Sequence, residues 1–154
     1  MIAAGAVSGR AQSLLSDKPR PQYAAVSASS SAARVSPGSV VTLWADVVPH
    51  ANVHVYAEGA REYTPVSLVL TPNALLAVGT IAYPKSTPID VPGTTDRVPA
   101  YSGPFRIAVP VTVKGSAKSG DAIVVGAALH YQACDDRLCY PATVAPLSWT
   151  LTVK

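Results

Sequence analysis

"FRIAVPVTV", residues 105–113, places Phe105, Ile107, Val109, Val111 and Val113 on one side of the chain and Arg106, Ala108, Pro110 and Thr112 on the other. A period of two sustained over this length predicts a half-buried β-strand, because successive side chains of an extended chain point to opposite faces. A helix would scatter the same five apolar residues around its axis. Pro110 lacks an N–H and cannot donate to a ladder, which predicts a sheet edge or a bulge at this point.

Working outward, the same period returns. "VVTLWADVV" sets Val41, Leu43, Ala45 and Val47 on one face, and "NVHVYA" sets Val53 and Val55 opposite His54 and Tyr56. "PVSLVL" and "VGTIAY" are shorter, bounded by Pro72-Asn73 and Pro84, where the chain is expected to turn. "AIVVGAALHYQAC" is apolar on both faces and reads as one central strand, and Leu147, Trp149, Leu151 and Val153 alternate with polar residues in a last one. Seven or so strands in roughly 120 residues, with Gly/Pro turns and no amphipathic helix, define an all-β chain: an immunoglobulin-like antiparallel β-sandwich, with a closed barrel as the alternative. No repeat of 20 to 50 residues argues for a propeller or solenoid.

The bulk properties agree with one domain. A chain of 154 residues buries a sizeable core, and 14 prolines with only 14% charged residues favour short extended segments. The net charge of +3 comes without a Lys/Arg run, so nucleic acid is not an expected partner. No apolar run reaches the ~18 residues of a membrane helix, so no direct membrane insertion is expected. Residues 1–34 read as a tail, either the remnant of a secretory signal or a disordered Pro/Ser/Ala-rich segment, and the packed domain as residues 35–154.

Both cysteines fall in "YQACDDRLCYPA", residues 131–142. Cys134 ends the central strand and Cys139 precedes Pro141, so "DDRL" reads as a hairpin tip with the cysteines opposed across its base. Opposed residues on paired strands have Cα atoms roughly 4.5 to 5.5 Å apart, a span that a disulfide bridges. Such a bond closes a very short loop, and its stabilisation falls near the low end of the usual ~2 to 4 kcal/mol. Spacing alone leaves a structural disulfide, redox exchange, metal binding and free thiols open. The charged residues Asp135, Asp136 and Arg137 favour an accessible tip, which an exchanging pair requires.

Other constellations are weaker. His50, His54 and His130 beside two cysteines invite copper, but a blue-copper site wants a late methionine and the only one is Met1. Zinc lacks a second Cys/His pair at ligand spacing. No G-x-S-x-G supports a Ser-His-Asp hydrolase. His130 lies four residues before Cys134 on the same strand face, placed to bias its thiol from a distance, with a sheet histidine of no such role as the alternative. Trp44 and Trp149 read as core or sheet-surface aromatics.

"YQACDDRLCYP", with "GAALHYQAC" before it and an alternating terminal strand after it, resembles the amino-terminal periplasmic domain of the thiol:disulfide interchange protein DsbD, the disulfide bond corrector family. "VSPGSVVTLWADVVPHANVHVYA" and "YPKSTPIDVPGTTDRVPAYSGPFRIAVPVTV" are similar to the opening and middle of that domain, so the likeness spans roughly residues 35 to 154. The resemblance implies an immunoglobulin-like electron carrier in the periplasm, with no organic cofactor or metal. Its Cys134 and Cys139 would take electrons from a membrane reductase through a thioredoxin-like domain and pass them to periplasmic thiol proteins. The reductase would be a separate chain or a removed region, and the domain is expected to act as a monomer. The resemblance also implies a shielding cap loop around Val98 to Gly103, with Tyr101 as its aromatic. Ala100 replaces a bulkier neighbour there, and Ala142 replaces a second proline after Pro141. Tyr131, Asp135, Asp136 and Pro141 would flank the pair. Cys139 is expected to meet the partner, partly by resemblance and partly because it follows the exposed tip. The alternative is a non-catalytic immunoglobulin-like binding domain with a hairpin disulfide.

Overall fold

The computed structural model describes residues 20–154, and every regular element in them is a strand. The first sheet is built from β1 (Ala24–Ser30), β3 (Val40–Pro49), β9 (Phe105–Val113) and β6 (Leu76–Val78), in that order. The second runs β2 (Arg34–Val35), β12 (Thr143–Val153), β10 (Ala122–Tyr131) and β5 (Ser67–Leu70). All pairings are antiparallel except the short β2, which lies parallel to the end of β12.

These two sheets form the sandwich. The inward residues of β3, β9, β10 and β12 come from the alternating sets, and Leu43, Val109, Leu129 and Leu151 among them are fully buried. Fully burying each such side chain is worth about 1.5 to 3 kcal/mol. Trp149, reaching in from β12, donates its indole N–H to the carbonyls of Ser29 at 2.8 Å and Trp44 at 3.1 Å, both in the opposite sheet. It is therefore a core aromatic with its one polar atom satisfied. Trp44 lies on the other face of β3, under the guanidinium of Arg106, which also grips Asp46 at 2.6 and 3.2 Å.

The structure departs from the sequence reading in four places. The chain enters the sheet before Val35: β1 pairs along its whole length with β3, Ala24↔Pro49 through Ser30↔Leu43. Its alanines and serines carry little β-propensity, and the partner strand supplies the pattern that they lack. The rest of the expected tail, residues 1–19, lies outside the described residues. Second, Pro110 is on an inner strand, with β3 on one side and β6 on the other. Its N–H-less nitrogen faces β6, where pairing shifts from Val78↔Val111 to the bridge Ala82↔Ala108, a slip of one residue. The expected bulge is thus in the partner chain, and Gly79 makes it fit: a Cβ there would come within 2.9 Å of the Pro110 ring. Third, "VGTIAY" is not a strand of its own: Val78 ends β6, and past Gly79 the stretch contributes the Ala82↔Ala108 bridge. Fourth, the run ending at Cys134 is not one strand.

That break positions the site. β10 stops at Tyr131, and after Gln132 the chain leaves the sandwich as β11 (Ala133–Cys134), which joins a third sheet in the order β11, β4 (His54–Tyr56), β8 (Arg97–Tyr101) and β7 (Thr87–Asp90). Outward-facing Val124 on β10 is exposed, so this strand is central by pairing but buried on one face only. None of the described residues forms a helix long and apolar enough to cross a membrane.

Candidate functional site

The third sheet encloses its own small core. Tyr56, Ala60, Val91, Val98, Ala100 and Cys134 are buried in it, with Tyr63, Ile89 and Cys139 packed at its margin. Cys134 is paired on one side with His54 of β4 and on the other with Cys139, through an isolated antiparallel bridge. The two cysteines therefore face one another across the base of the hairpin. Both carry free thiols, one fully buried and the other half-exposed.

The tip is held by its first residue. The Asp135 carboxylate accepts the backbone N–H groups of Arg137 at 2.8 Å and Leu138 at 2.9 Å, and its other oxygen accepts the Tyr140 hydroxyl at 2.5 Å. The Tyr140 hydrogen bond, then those of the backbone, keep this carboxyl below its ordinary range. Tyr140 in turn stacks on Tyr23, ring centroids 4.0 Å apart, tying the tip to the start of β1. Asp136, 83% exposed, lies 3.9 Å from Nε2 of His54, whose Nδ1 is 2.8 Å from the Ser102 hydroxyl.

Over the pair lies a tyrosine that the sequence reading did not select. The Tyr56 hydroxyl is 3.1 Å from Cys139 Sγ, and the ring of Tyr63 stacks on Tyr56 at 4.3 Å. Burial pushes the Cys134 thiol up to about 11, against an opposing hydrogen bond from Tyr56. Tyr56 is pushed up as well, first by burial and then by its contacts with Cys134 and Cys139.

A pH dependence follows. In the unfolded chain the thiol has an ordinary value of 9.0, whereas folded Cys134 holds its proton to about 11. Between these values the folded state binds more protons, so stability must fall as pH rises through the window. Urea denaturation of the reduced protein should show a larger drop in midpoint from neutral pH to about pH 10 than Cys134→Ser shows, since the variant removes this thiol and keeps the tyrosines. Equal drops would mean that Cys134 is not desolvated.

Three expectations for this region change. The stretch from Val98 is strand β8 rather than a loop, and its pleat separates the residues assigned to the cap. Val98 and Ala100 pack beside Cys134, whereas Tyr101 points the other way, into the main core. There it stacks on Phe105 at 4.0 Å and donates to the Pro84 carbonyl at 2.7 Å, so it does not cover the cysteines. Tyr131 is fully buried and belongs to the sandwich, its hydroxyl accepting the Tyr23 N–H and donating to Gln22. His130 sits on β10 and shares no strand with Cys134. Pro141 is exposed just beyond the hairpin, and no group of three His, Cys, Asp or Glu side chains gathers among the described residues. Tyr56 and Tyr63 gave little sign of themselves in sequence, the first being an ordinary strand aromatic and the second lying in a loop far along the chain.

An immunoglobulin-like sandwich with a buried and a half-exposed cysteine opposed on one hairpin is a dithiol domain of the all-β class. The family described as thiol:disulfide interchange protein DsbD, N-terminal, matches residues 22–147, and the chain belongs to that family. Among solved structures, the reduced N-terminal domain of DsbD from Neisseria meningitidis is 16% identical with a TM-score of 0.51, over 82% of this chain and 85% of that one. The N-terminal periplasmic domain of ScsB from Proteus mirabilis is also 16% identical, with a TM-score of 0.55, over 88% of this chain but only 48% of its own. At this identity the likeness is one of fold. No curated protein matches the chain in sequence.

Proposed function

We propose that this domain exchanges electrons with periplasmic proteins through Cys134 and Cys139. The observation that carries this reading is the unequal pair: two thiols bridged across a hairpin base, one fully buried and the other half-exposed beneath a tyrosine hydroxyl. In the reducing direction, the Cys139 thiolate attacks a partner disulfide, forming a mixed disulfide and releasing one partner thiolate. Cys134 then attacks Cys139 Sγ, closing the intramolecular disulfide and releasing the second thiolate, with its own proton passing to the departing sulfur. Two electrons leave the domain and two partner thiols are made. Reversal with a thioredoxin-like dithiol, fed by a membrane reductase, restores the reduced pair. The Tyr56 hydroxyl, within reach of Cys139 Sγ, supplies a hydrogen bond to its thiolate. Tyr63, rather than Tyr101, takes the place of the shielding aromatic.

Equilibration against glutathione or a dithiol buffer tests this reading. An exchanging pair should have a reduction potential above about −300 mV, in the range of oxidoreductases, whereas a potential below it would make the bond a structural staple.

A further inference from the structure

Gln132, the residue between β10 and β11, is the point where the chain changes sheets. Its backbone carbonyl accepts the N–H of Tyr56 at 3.1 Å. Its side-chain oxygen accepts the N–H of Thr64 at 2.9 Å, and its side-chain nitrogen donates to the carbonyl of Tyr140 at 3.1 Å. One half-buried residue thus holds three pieces of backbone, each adjacent to or carrying a group of the site. Tyr56 contacts Cys139, Thr64 follows Tyr63, and Tyr140 follows Cys139.

We propose that Gln132 is a positioning residue that sets access to the Cys139 thiol by bracing the loop of Tyr63 against the strand of Cys139. The physical reasoning is that residues 57–66 form a connection without a strand, tied at its ends by the Ala57 N–H to the Pro99 carbonyl and the Val66 N–H to the Tyr56 carbonyl. The Gln132 amide holds its middle beside Tyr63, and a stretch so lightly held opens at small cost. Two backbone groups at the site depend on the same amide: without it, the Thr64 N–H and Tyr140 carbonyl must each turn to water, which draws the two segments apart. Tyr63 holds its place over Tyr56 only while this connection is closed. Gln132 touches neither sulfur, so its effect is on exposure rather than on the chemistry of the thiol. The inference builds on the exchange reading, since access to Cys139 matters only if a partner must reach it.

The test uses the full chain carrying Cys134→Ser, so that Cys139 is its only thiol, and follows alkylation by iodoacetamide across pH. Gln132→Met, which keeps the volume and loses both side-chain hydrogen bonds, should raise the high-pH plateau rate about tenfold, the order expected when one or two such bonds hold a loop closed. The midpoint of the pH profile should stay in place. Tyr63→Ala should raise the rate similarly, and the double variant no further, because both act by opening one loop. Gln132→Asn, too short to span Thr64 and Tyr140, should behave as the Met variant does, and serves in its place should that one fail to fold. A plateau at the parent rate, a shifted midpoint with an unchanged plateau, or effects that multiply in the double variant would each overturn the brace. Alkylation needs no redox partner, so failure of exchange with thioredoxin-like proteins would sink the functional reading and leave this result standing.

Discussion

Cys134→Ser should trap a covalent complex with a thioredoxin-like domain, visible as a dithiothreitol-sensitive band on non-reducing gels, while Cys139→Ser traps almost none. The difference should be large, because the two sulfurs are not equivalent. Cys134 has no accessible surface, sits between two pairing partners and holds its proton to about 11. Cys139 is half-exposed, beside Pro141, at the margin of the small core. A partner disulfide must approach the attacking sulfur in line, and only the outer one offers that approach. Removing the inner thiol leaves the mixed disulfide with nothing to resolve it. Equal trapping by both variants would show that the hairpin opens before it reacts, and trapping by neither would leave a structural bond.

The second large effect separates two tyrosines. Tyr101→Ala should destabilise the domain by about 3 kcal/mol, lowering the melting temperature by roughly 10 °C, because it empties a core position stacked on Phe105. It also frees the Pro84 carbonyl of its hydroxyl partner. The reactivity of Cys139 should barely change. Tyr63→Ala should do the opposite, costing about 1 kcal/mol for a half-exposed stacked ring while raising the reaction rate of Cys139 with small reagents. Thermal unfolding and alkylation on the two variants read out this crossing of effects. A fast-reacting, stable Tyr101→Ala would return the shield to β8.

The contrast shows what the sequence could tell. The sandwich was legible because β3, β9 and β12 each bury one face of a long strand, so their alternation is unbroken. The hairpin was legible for the same reason, since opposed cysteines flanking a polar tip leave few other geometries. β1 was not, because Ala and Ser give no contrast between faces. The shield was misassigned because neighbouring positions on a strand face opposite ways: Ala100 and Tyr101 are adjacent in sequence, yet lie in different cores. Tyr56 was hidden by a partner 83 residues away. Gln132 was hidden because the run through it to Cys134 reads as one continuous strand, so the change of sheet between Tyr131 and Ala133 left no mark in the pattern.

Having two cores rather than one separates the structural demands on the two ends of the molecule. The sandwich answers to folding, and a substitution at Leu43 or Leu129 is screened by whether the protein exists at all. The five buried residues that pack with Cys134 answer instead to the geometry of the dithiol hairpin. Because none of them is shared with the larger core, a substitution among them reshapes the surroundings of the cysteines without emptying a position in the sandwich.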